Sequence, residues 1–134
     1  MVGKGVPGAT DGRNNVMYAS ILNITIDCTD AQAQARFWSA VTGWPAEEQD
    51  STPGHVEYAV TAPSPGMPRL YFTTVPESKP GKNRIHLDLV PPADQEAELA
   101  RLTGLGARVL AEQPPGASWV ILADPEGNEF CLEG

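Results

Sequence analysis

Apolar and polar residues alternate along several short stretches of this chain, and two longer stretches repeat apolar residues at helical spacing. Alternation with a period of two predicts strands, whereas spacings of three and four predict amphipathic helices. Thr29 with Gln32 resembles a capping box at a helix start, and Gly43 predicts the end of that helix. The predicted elements are, in order, a strand (21–28), a helix (30–42), an acidic connection (44–54) with a short strand near Trp44, strands (55–62, 69–75 and 83–90), a helix (94–103) and strands (107–112, 118–123 and 129–132).

The order of these elements repeats, because a strand, a helix and further strands are followed by the same series again. Such an order predicts an α+β fold of two βαβββ modules, each with one helix on one face of its sheet. Module one covers about 21–76 and module two about 83–134, within a single domain of residues 21–134. The two sheets are expected to form one cupped, mostly antiparallel surface. Residues 1–20 are rich in glycine and polar residues and are predicted to be a flexible leader.

The composition is that of one globular domain, with 134 residues, 41% hydrophobic residues and a net charge of −8. An acidic chain argues against nucleic acid and anionic membranes as partners. No apolar run is long enough for a membrane span. Cys28 and Cys131 are too few for a disulfide framework, so we expect two buried free thiols in the reducing cytoplasm.

The stretch from Asn83 to Val90 carries most of the candidate chemistry. Its odd positions are apolar, while Arg84, His86 and Asp88 form a polar row on the other face. A row that faces solvent is ordinary, and a row that lines a cavity is a site. In a cavity, His86 could hydrogen-bond a ligand or act as a general base, with Asp88 orienting it or pairing with Arg84. His86 is therefore the candidate catalytic residue.

Four stretches of the chain resemble one known superfamily, the glyoxalase/bleomycin-resistance/dioxygenase or vicinal oxygen chelate proteins, and in particular its glyoxalase-like domain branch. The resemblance spans about residues 22–133 and is carried by Ile26–Asp30 (IDCTD), Ala35–Trp38 (ARFW) with Gly43–Trp44, Asn83–Leu89 (NRIHLDL) and Ala123–Cys131 (ADPEGNEFC). It implies paired βαβββ modules around a cupped site. In metal-using members, that site holds one divalent metal on four side chains from the first and last strands of the modules.

Carried onto this chain, the four ligand positions fall on Asn23, Thr73, His86 and Cys131. Metal-using members usually have His or Gln at the first position, Glu or another ligand at the second, His at the third and Glu at the fourth. Asn and Thr are weak ligands, and one His is not a site. Zn²⁺ could use His86 and Cys131, which are the weak metal candidates, but it needs more good ligands. We therefore expect no cofactor, and a divalent metal is disfavoured.

The chain is expected to bind a small molecule of unknown identity without the family's metal centre. The predicted ligand-binding residues include an aromatic wall, because such walls suit small planar ligands. Two alternatives stay open: a metal-dependent lyase, isomerase or dioxygenase, and a resistance protein that sequesters a cationic drug, as bleomycin-binding proteins do. Exposed sheet edges and the family likeness also favour a homodimer. The binding residues predicted are Asn23, Tyr71, Thr73, Arg84, His86, Asp88, Trp119 and Cys131.

Overall fold

The computed structural model describes residues 9–10, 16–110 and 118–134 of the chain. Within these residues the strands and helices follow the predicted order, with a short additional pair of strands near the N-terminus. The elements are β1 (Ala9–Thr10), β2 (Val16–Tyr18), β3 (Asn23–Cys28), α1 (Ala31–Thr42), β4 (Ala46–Thr52), β5 (His55–Val60), β6 (Arg69–Thr74), β7 (Asp88–Leu89), α2 (Gln95–Leu105), β8 (Arg108–Val109), β9 (Val120–Ala123) and β10 (Glu129–Leu132).

Two four-stranded sheets with the same topology form the body of the molecule. The first has the order β3-β6-β5-β4, and the second has the order β7-β10-β9-β8. In each sheet the first and last strands of the module pair in parallel, and the other neighbours are antiparallel. The prediction of two mostly antiparallel βαβββ modules with one helix each is therefore confirmed. No helix of the described residues is long and apolar enough to cross a membrane.

The predicted leader lies mostly outside the described residues, since 1–8 and 11–15 are not among them. Its described part contains β1 and β2, which pair in an antiparallel fashion through Ala9 with Tyr18 and Thr10 with Val16. The flexibility of the leader stays a prediction.

Helix α1 begins one residue later than the capping-box pattern predicts. The side chain of Asp30, not Thr29, accepts a hydrogen bond from the Ala33 amide at 3.0 Å. The amides of Thr29 and Asp30 instead donate to the carboxylate of Glu126, both at 2.8 Å. A carboxylate from the second module thus occupies the helix start, where the helix dipole favours negative charge. The predicted end is correct, because Gly43 adopts a left-handed conformation with φ of 75°.

The acidic segment after α1 contains a strand, as predicted, but the strand covers Ala46–Thr52 and not only a few residues near Trp44. Strand β4 pairs with β5 along most of its length, with an irregularity between Glu48 and Asp50. Its side chains are mostly exposed and include Glu47 and Glu48. The position explains the composition, because β4 is an edge strand and charged residues discourage pairing with other chains there.

The predicted strand 83–90 is a regular strand only at Asp88–Leu89. Before it, the backbone bends around Arg84 and Ile85. The Asn83 amide donates to the Glu129 carboxylate at 2.9 Å instead of joining a ladder. Regular pairing with β10 begins only at the Leu87 carbonyl, which accepts from the Cys131 amide at 2.9 Å. Residues on either side of the bend therefore cannot share one face.

One hydrophobic core spans both modules. The inner face of α1 contributes Phe37 and Trp38, which pack against the first sheet and against Phe130 of β10. The ring centroids of Trp38 and Phe130 lie 5.0 Å apart in an edge-to-face arrangement. Arg101 of α2 adds a polar connection, since its guanidinium donates to the carbonyl of Ala40 at 2.8 Å near the end of α1. The modules are thus held together by packing as well as by hydrogen bonds.

The hairpin between β9 and β10 fastens the second module to α1. Buried Asp124 accepts hydrogen bonds from the side chains of Gln34 at 2.9 Å and Trp38 at 3.1 Å. The same carboxylate accepts the amides of Glu126 and Asn128 inside its own turn. The turn prediction for 124–128 is confirmed.

Candidate ligand-binding site

The open face of the second sheet carries a cavity of about 660 Å³. Strands β7, β9 and β10 position its floor, because Cys131 is in register with Asp88 on one side and with Ile121 on the other. Half-exposed Trp119 precedes β9 and forms one wall. Among the described residues, the lining consists of Lys82, His86, Asp88, Leu110, Trp119, Ile121, Glu129, Cys131 and Glu133.

Three side chains of potential chemical use converge on this floor. One ligand-type atom each of His86, Asp88 and Cys131 lies within 4.8 Å of the other two. The Nδ1 atom of His86 is 3.2 Å from Oδ1 of Asp88, as the sequence-based pairing of these residues anticipates. The imidazole and the carboxylate are both about half exposed, so a ligand in the cavity can reach them.

The electrostatics of the floor keep the Cys131 thiol protonated. Burial raises the pKa of Cys131, and the negative charge and hydrogen bond of Asp88 raise it further. A thiol of this kind is a poor nucleophile at neutral pH. Cys131 is also only half-buried, whereas we expected a buried thiol like Cys28.

The lining carries more negative than positive charge. Asp88, Glu129 and Glu133 contribute carboxylates, and Lys82 is the one Lys or Arg among the described lining residues. Burial alone would raise the pKa of Glu129, but the Asn83 amide and Lys79 outweigh it and lower that pKa below its usual value. Glu129 is therefore ionised at neutral pH, and Lys79 pairs with it at 3.1 Å. Asp88 and Glu133 remain as further carboxylates against Lys82, so the cavity favours cationic or neutral ligands.

Arg84 does not share this site, so the predicted row of Arg84, His86 and Asp88 is divided. The bend before β7 places Arg84 with Ile85 and Leu87 against a separate cavity of about 400 Å³. That cavity lies between β3 and the segment leading to β7. A strict period of two requires continuous extended backbone, which this segment lacks.

The predicted residues of the first module lie on the open face of the first sheet rather than in the 660 Å³ cavity. The side chain of Asn23 accepts a hydrogen bond from Arg69 at 2.8 Å. The Tyr71 hydroxyl donates to Glu57 at 2.5 Å, and the Thr73 hydroxyl donates to the same carboxylate at 3.0 Å. Burial and then Glu57 raise the pKa of Tyr71 to about 12. These side chains already have partners, which lowers their availability to a ligand.

Several site residues were not anticipated from the sequence. Glu57 and His55, 3.0 Å apart, belong to the polar cluster of the first sheet. The alternation within 55–62 placed Glu57 opposite the apolar face, and this was the available signal. In the cavity of the second sheet, Ile121 shares parity with Trp119 and could have been named. Lys82 and Leu110 lie outside regular strands, so no periodic signal pointed to them.

The family's four ligand positions do not form one donor set among the described residues. Asn23 and Thr73 are engaged with Arg69 and Glu57, and neither joins the cluster of His86, Asp88 and Cys131. The donor chemistry is also different, because an amide and a hydroxyl are weak ligands for Mn²⁺ or Fe²⁺. The residues present therefore do not fit the four-ligand centre that the superfamily implies.

Solved structures with the same fold include proteins of resistance and glyoxalase type. A mutant of the fosfomycin resistance protein FosX from Listeria monocytogenes, complexed with Mn(II) and 1S,2S-dihydroxypropylphosphonic acid, has a TM-score of 0.68 at 13% identity, covering 87% of this chain and 93% of its own. A glyoxalase-related enzyme from Fulvimarina pelagi has a TM-score of 0.55 at 23% identity, and the match covers 85% of this chain and 86% of the enzyme. A possible glyoxalase from Bacillus cereus has a TM-score of 0.60 at 14% identity, and the match covers 86% of this chain and 98% of that protein.

No curated protein sequence matches the chain. The model of the family described as glyoxalase-like domain matches residues 23–133, which include both βαβββ modules. The chain therefore belongs to the glyoxalase-like domain family, within the vicinal oxygen chelate superfamily.

Proposed function

We propose that this protein binds a small molecule with an aromatic or apolar body and a cationic or neutral polar group. The observation that carries the proposal is the cavity on the second sheet, where Trp119 and Ile121 stand beside the polar group of His86, Asp88 and Cys131. Its volume of about 660 Å³ falls within the usual range for ligand pockets, roughly 300–1,000 Å³. An apolar wall with few polar groups is typical of such sites.

The charge of the cavity favours a different ligand from the one bound in one of the structural neighbours. FosX was complexed with a phosphonic acid, which is an anion near neutral pH. Asp88 and Glu133 at the cavity disfavour such a ligand. A cation beside Trp119 would gain both carboxylate attraction and ring contact. This favours a binding or sequestering role for the site, and a catalytic role for His86 stays a prediction.

A matched set of probes tests the proposed function. Phenethylamine, phenethyl alcohol and phenylpropionate share one aromatic body and carry positive, no and negative charge. We expect isothermal titration calorimetry to give affinity in the order amine, alcohol, acid, a readout that does not depend on Trp119. Trp119→Ala should weaken amine binding by about 10-fold, because stacking and burial on the ring are lost.

The matched control is Trp44→Phe in the first module, which should leave amine binding unchanged. Fosfomycin serves as a second anionic probe. Preferential binding of the acid or fosfomycin, or unchanged amine affinity in Trp119→Ala, would contradict the proposal.

We also propose that two copies associate through the free edges of the sheets. Strands β3 and β7 end the strand orders of their sheets, and highly exposed Ile21, Ile85 and Val90 lie next to them. Exposed apolar residues beside unpaired edges are typical of interfaces. Light scattering should give twice the chain mass of 14.3 kDa. The variant Ile85→Ser with Val90→Ser should give the single mass, and a wild-type monomer at all concentrations would refute this interface.

The cytoplasm is the proposed compartment. Both cysteines are free thiols, and they lie in different modules, on β3 and β10. Free thiols of this kind persist where the glutathione pool is reduced.

A further inference from the structure

We propose that Lys79, which does not itself line the ligand cavity, restricts the ligand to a single positive charge by neutralising Glu129. The inference rests on the proposed function of the 660 Å³ cavity and adds to it the number of charges that the ligand carries. It gives a role in selectivity to the segment between β6 and β7, which connects the two modules and contains Lys79.

Glu129 lies between two cavities. Among the described residues it is the one that lines both the cavity of about 660 Å³ and the cavity of about 400 Å³. Lys79 lines only the smaller cavity, and its Nζ atom is 3.1 Å from Oε1 of Glu129. Lys79 therefore cancels the charge of Glu129 without taking up space in the larger cavity, where a ligand can still reach the carboxylate.

The local structure holds this ion pair in place. The Cδ atom of Lys79 lies against Gly127, at 3.9 Å from the position that a β-carbon there would take. The Lys79 ammonium also donates to the Gly81 carbonyl, and the Asn83 amide donates to Oε1 of Glu129 at 2.9 Å. The side chains of Lys79 and Glu129 are only 19% and 20% exposed, so salt screens this pair less than a fully exposed one.

The other charges of the cavity leave a match for one cation. The further charged residues of the lining are the carboxylates Asp88 and Glu133 and the ammonium of Lys82. With Glu129 cancelled by Lys79 and with histidines counted as neutral, the cavity carries an excess of one negative charge. A ligand with one positive charge balances this excess, whereas a second positive charge on the ligand finds no unpaired carboxylate.

Calorimetric titration with two amines tests the inference. Phenethylamine carries one positive charge, and para-(aminomethyl)phenethylamine carries two on the same aromatic body. We expect the wild-type protein to bind both with similar affinity. Lys79→Met keeps most of the side-chain stem but frees Glu129, so it should bind the diamine on the order of 10-fold more tightly than phenethylamine.

A second substitution shows whether Lys79 acts through Glu129. The variant that combines Lys79→Met with Glu129→Gln has the same net charge as the wild type, so it should again bind both amines with similar affinity. Circular dichroism of each variant confirms folding. An unchanged ratio of the two affinities in Lys79→Met, or a preference for the diamine that survives in the combined variant, would overturn the inference.

Lys82→Met is the matched control, because it removes a positive charge that does not pair with Glu129. The Lys82 ammonium contacts the Asn83 carbonyl at 3.5 Å instead. Lys82→Met should tighten the binding of amines, and the factor should be the same with and without Glu129→Gln. Dependence of the Lys82 effect on Glu129, equal to that of Lys79, would contradict a specific role for Lys79.

The two proposals fail on different results. Absence of binding of both amines to the wild-type protein removes the proposed function and this inference with it. Binding of phenethylamine with no change of the affinity ratio in Lys79→Met removes the inference alone and leaves the proposed ligand class in place.

Discussion

Replacing Asp124 with alanine is expected to lower the free energy of unfolding by about 3–5 kcal/mol. Its carboxylate is 1% exposed and accepts the side-chain N–H groups of Gln34 and Trp38. It also accepts the amides of Glu126 and Asn128, at 2.9 and 3.0 Å. Removing it leaves buried donors without an acceptor, each costing about 1–3 kcal/mol. Urea denaturation followed by tryptophan emission measures the change.

Asp94→Ala is the matched control for this prediction. Asp94 also accepts a backbone amide, that of Ala97 at 2.8 Å, but it caps α2 at an exposed position. Loss of such a cap costs roughly 1 kcal/mol. Asp124→Asn should lie between the two, since it retains one acceptor oxygen but introduces a second donor facing Gln34 and Trp38. Equal effects of Asp124→Ala and Asp94→Ala would show that Asp124 does not fasten the modules.

Replacing Phe130 with alanine is expected to cost about 3–5 kcal/mol and to unfold both modules in one transition. The Phe130 ring is 1% exposed and lies 5.0 Å from Trp38 and 6.3 Å from Phe37, both on α1 of the first module. The truncation leaves a cavity at the junction of the two modules. Because one core spans them, local loss there destabilises the whole domain.

Two tryptophans allow the two modules to be observed separately in this experiment. Trp44 follows α1 in the first module, and Trp119 precedes β9 in the second. A variant without Trp44 and a variant without Trp119, each retaining buried Trp38, should give coincident urea transitions, both in the parent and with Phe130→Ala. The comparison variant is Phe72→Ala, in which the fully buried ring belongs to β6 of the first sheet. Two separate transitions would contradict a shared core.

Both predictions concern the same piece of architecture, the hairpin 124–128 and the strand that follows it. The Asp124 carboxylate accepts hydrogen bonds from side chains of α1, and the Glu126 carboxylate accepts hydrogen bonds from backbone amides at the start of that helix. Phe130 packs against the same helix, while its neighbour Cys131 faces the cavity. The connection between modules therefore lies directly beneath the candidate site. Variants at the junction should be checked for folding before any effect on binding is interpreted.

The periodic patterns predicted the fold well, because they depend on local sequence. Alternation identified the strands of both sheets except β4, and the helical stripe with Gly43 identified α1. The failures occurred where tertiary contacts override local preference. Strand β4 is polar because it lies at an edge of its sheet. Helix α1 begins one residue later than predicted because the carboxylate of Glu126, 96 residues from Asp30, accepts the hydrogen bond of the Asp30 amide.

The candidate site was predicted only in part, for the same reason. One cavity has the predicted polar floor and aromatic wall, and it is lined by His86, Asp88, Trp119 and Cys131. Arg84 lies outside this cavity because the backbone bends before β7. The grouping of Asp88 with Cys131, 43 positions later, comes from parallel pairing of β7 with β10. Parity assigns a residue to a face, but strand order and register decide which faces meet.

By itself, the sequence determined the element order, the repeated modules and the family, since these depend on residue periodicity and on short motifs such as the turn 124–128. It also singled out His86 as the candidate catalytic residue, a role that stays a prediction. Only the tertiary structure decided that His86, Asp88 and Cys131 form one donor set and that Asn23 and Thr73 do not join it. The physical reason is that a site depends on distances between strands, and those distances follow from hydrogen-bonded register and core packing rather than from local preference.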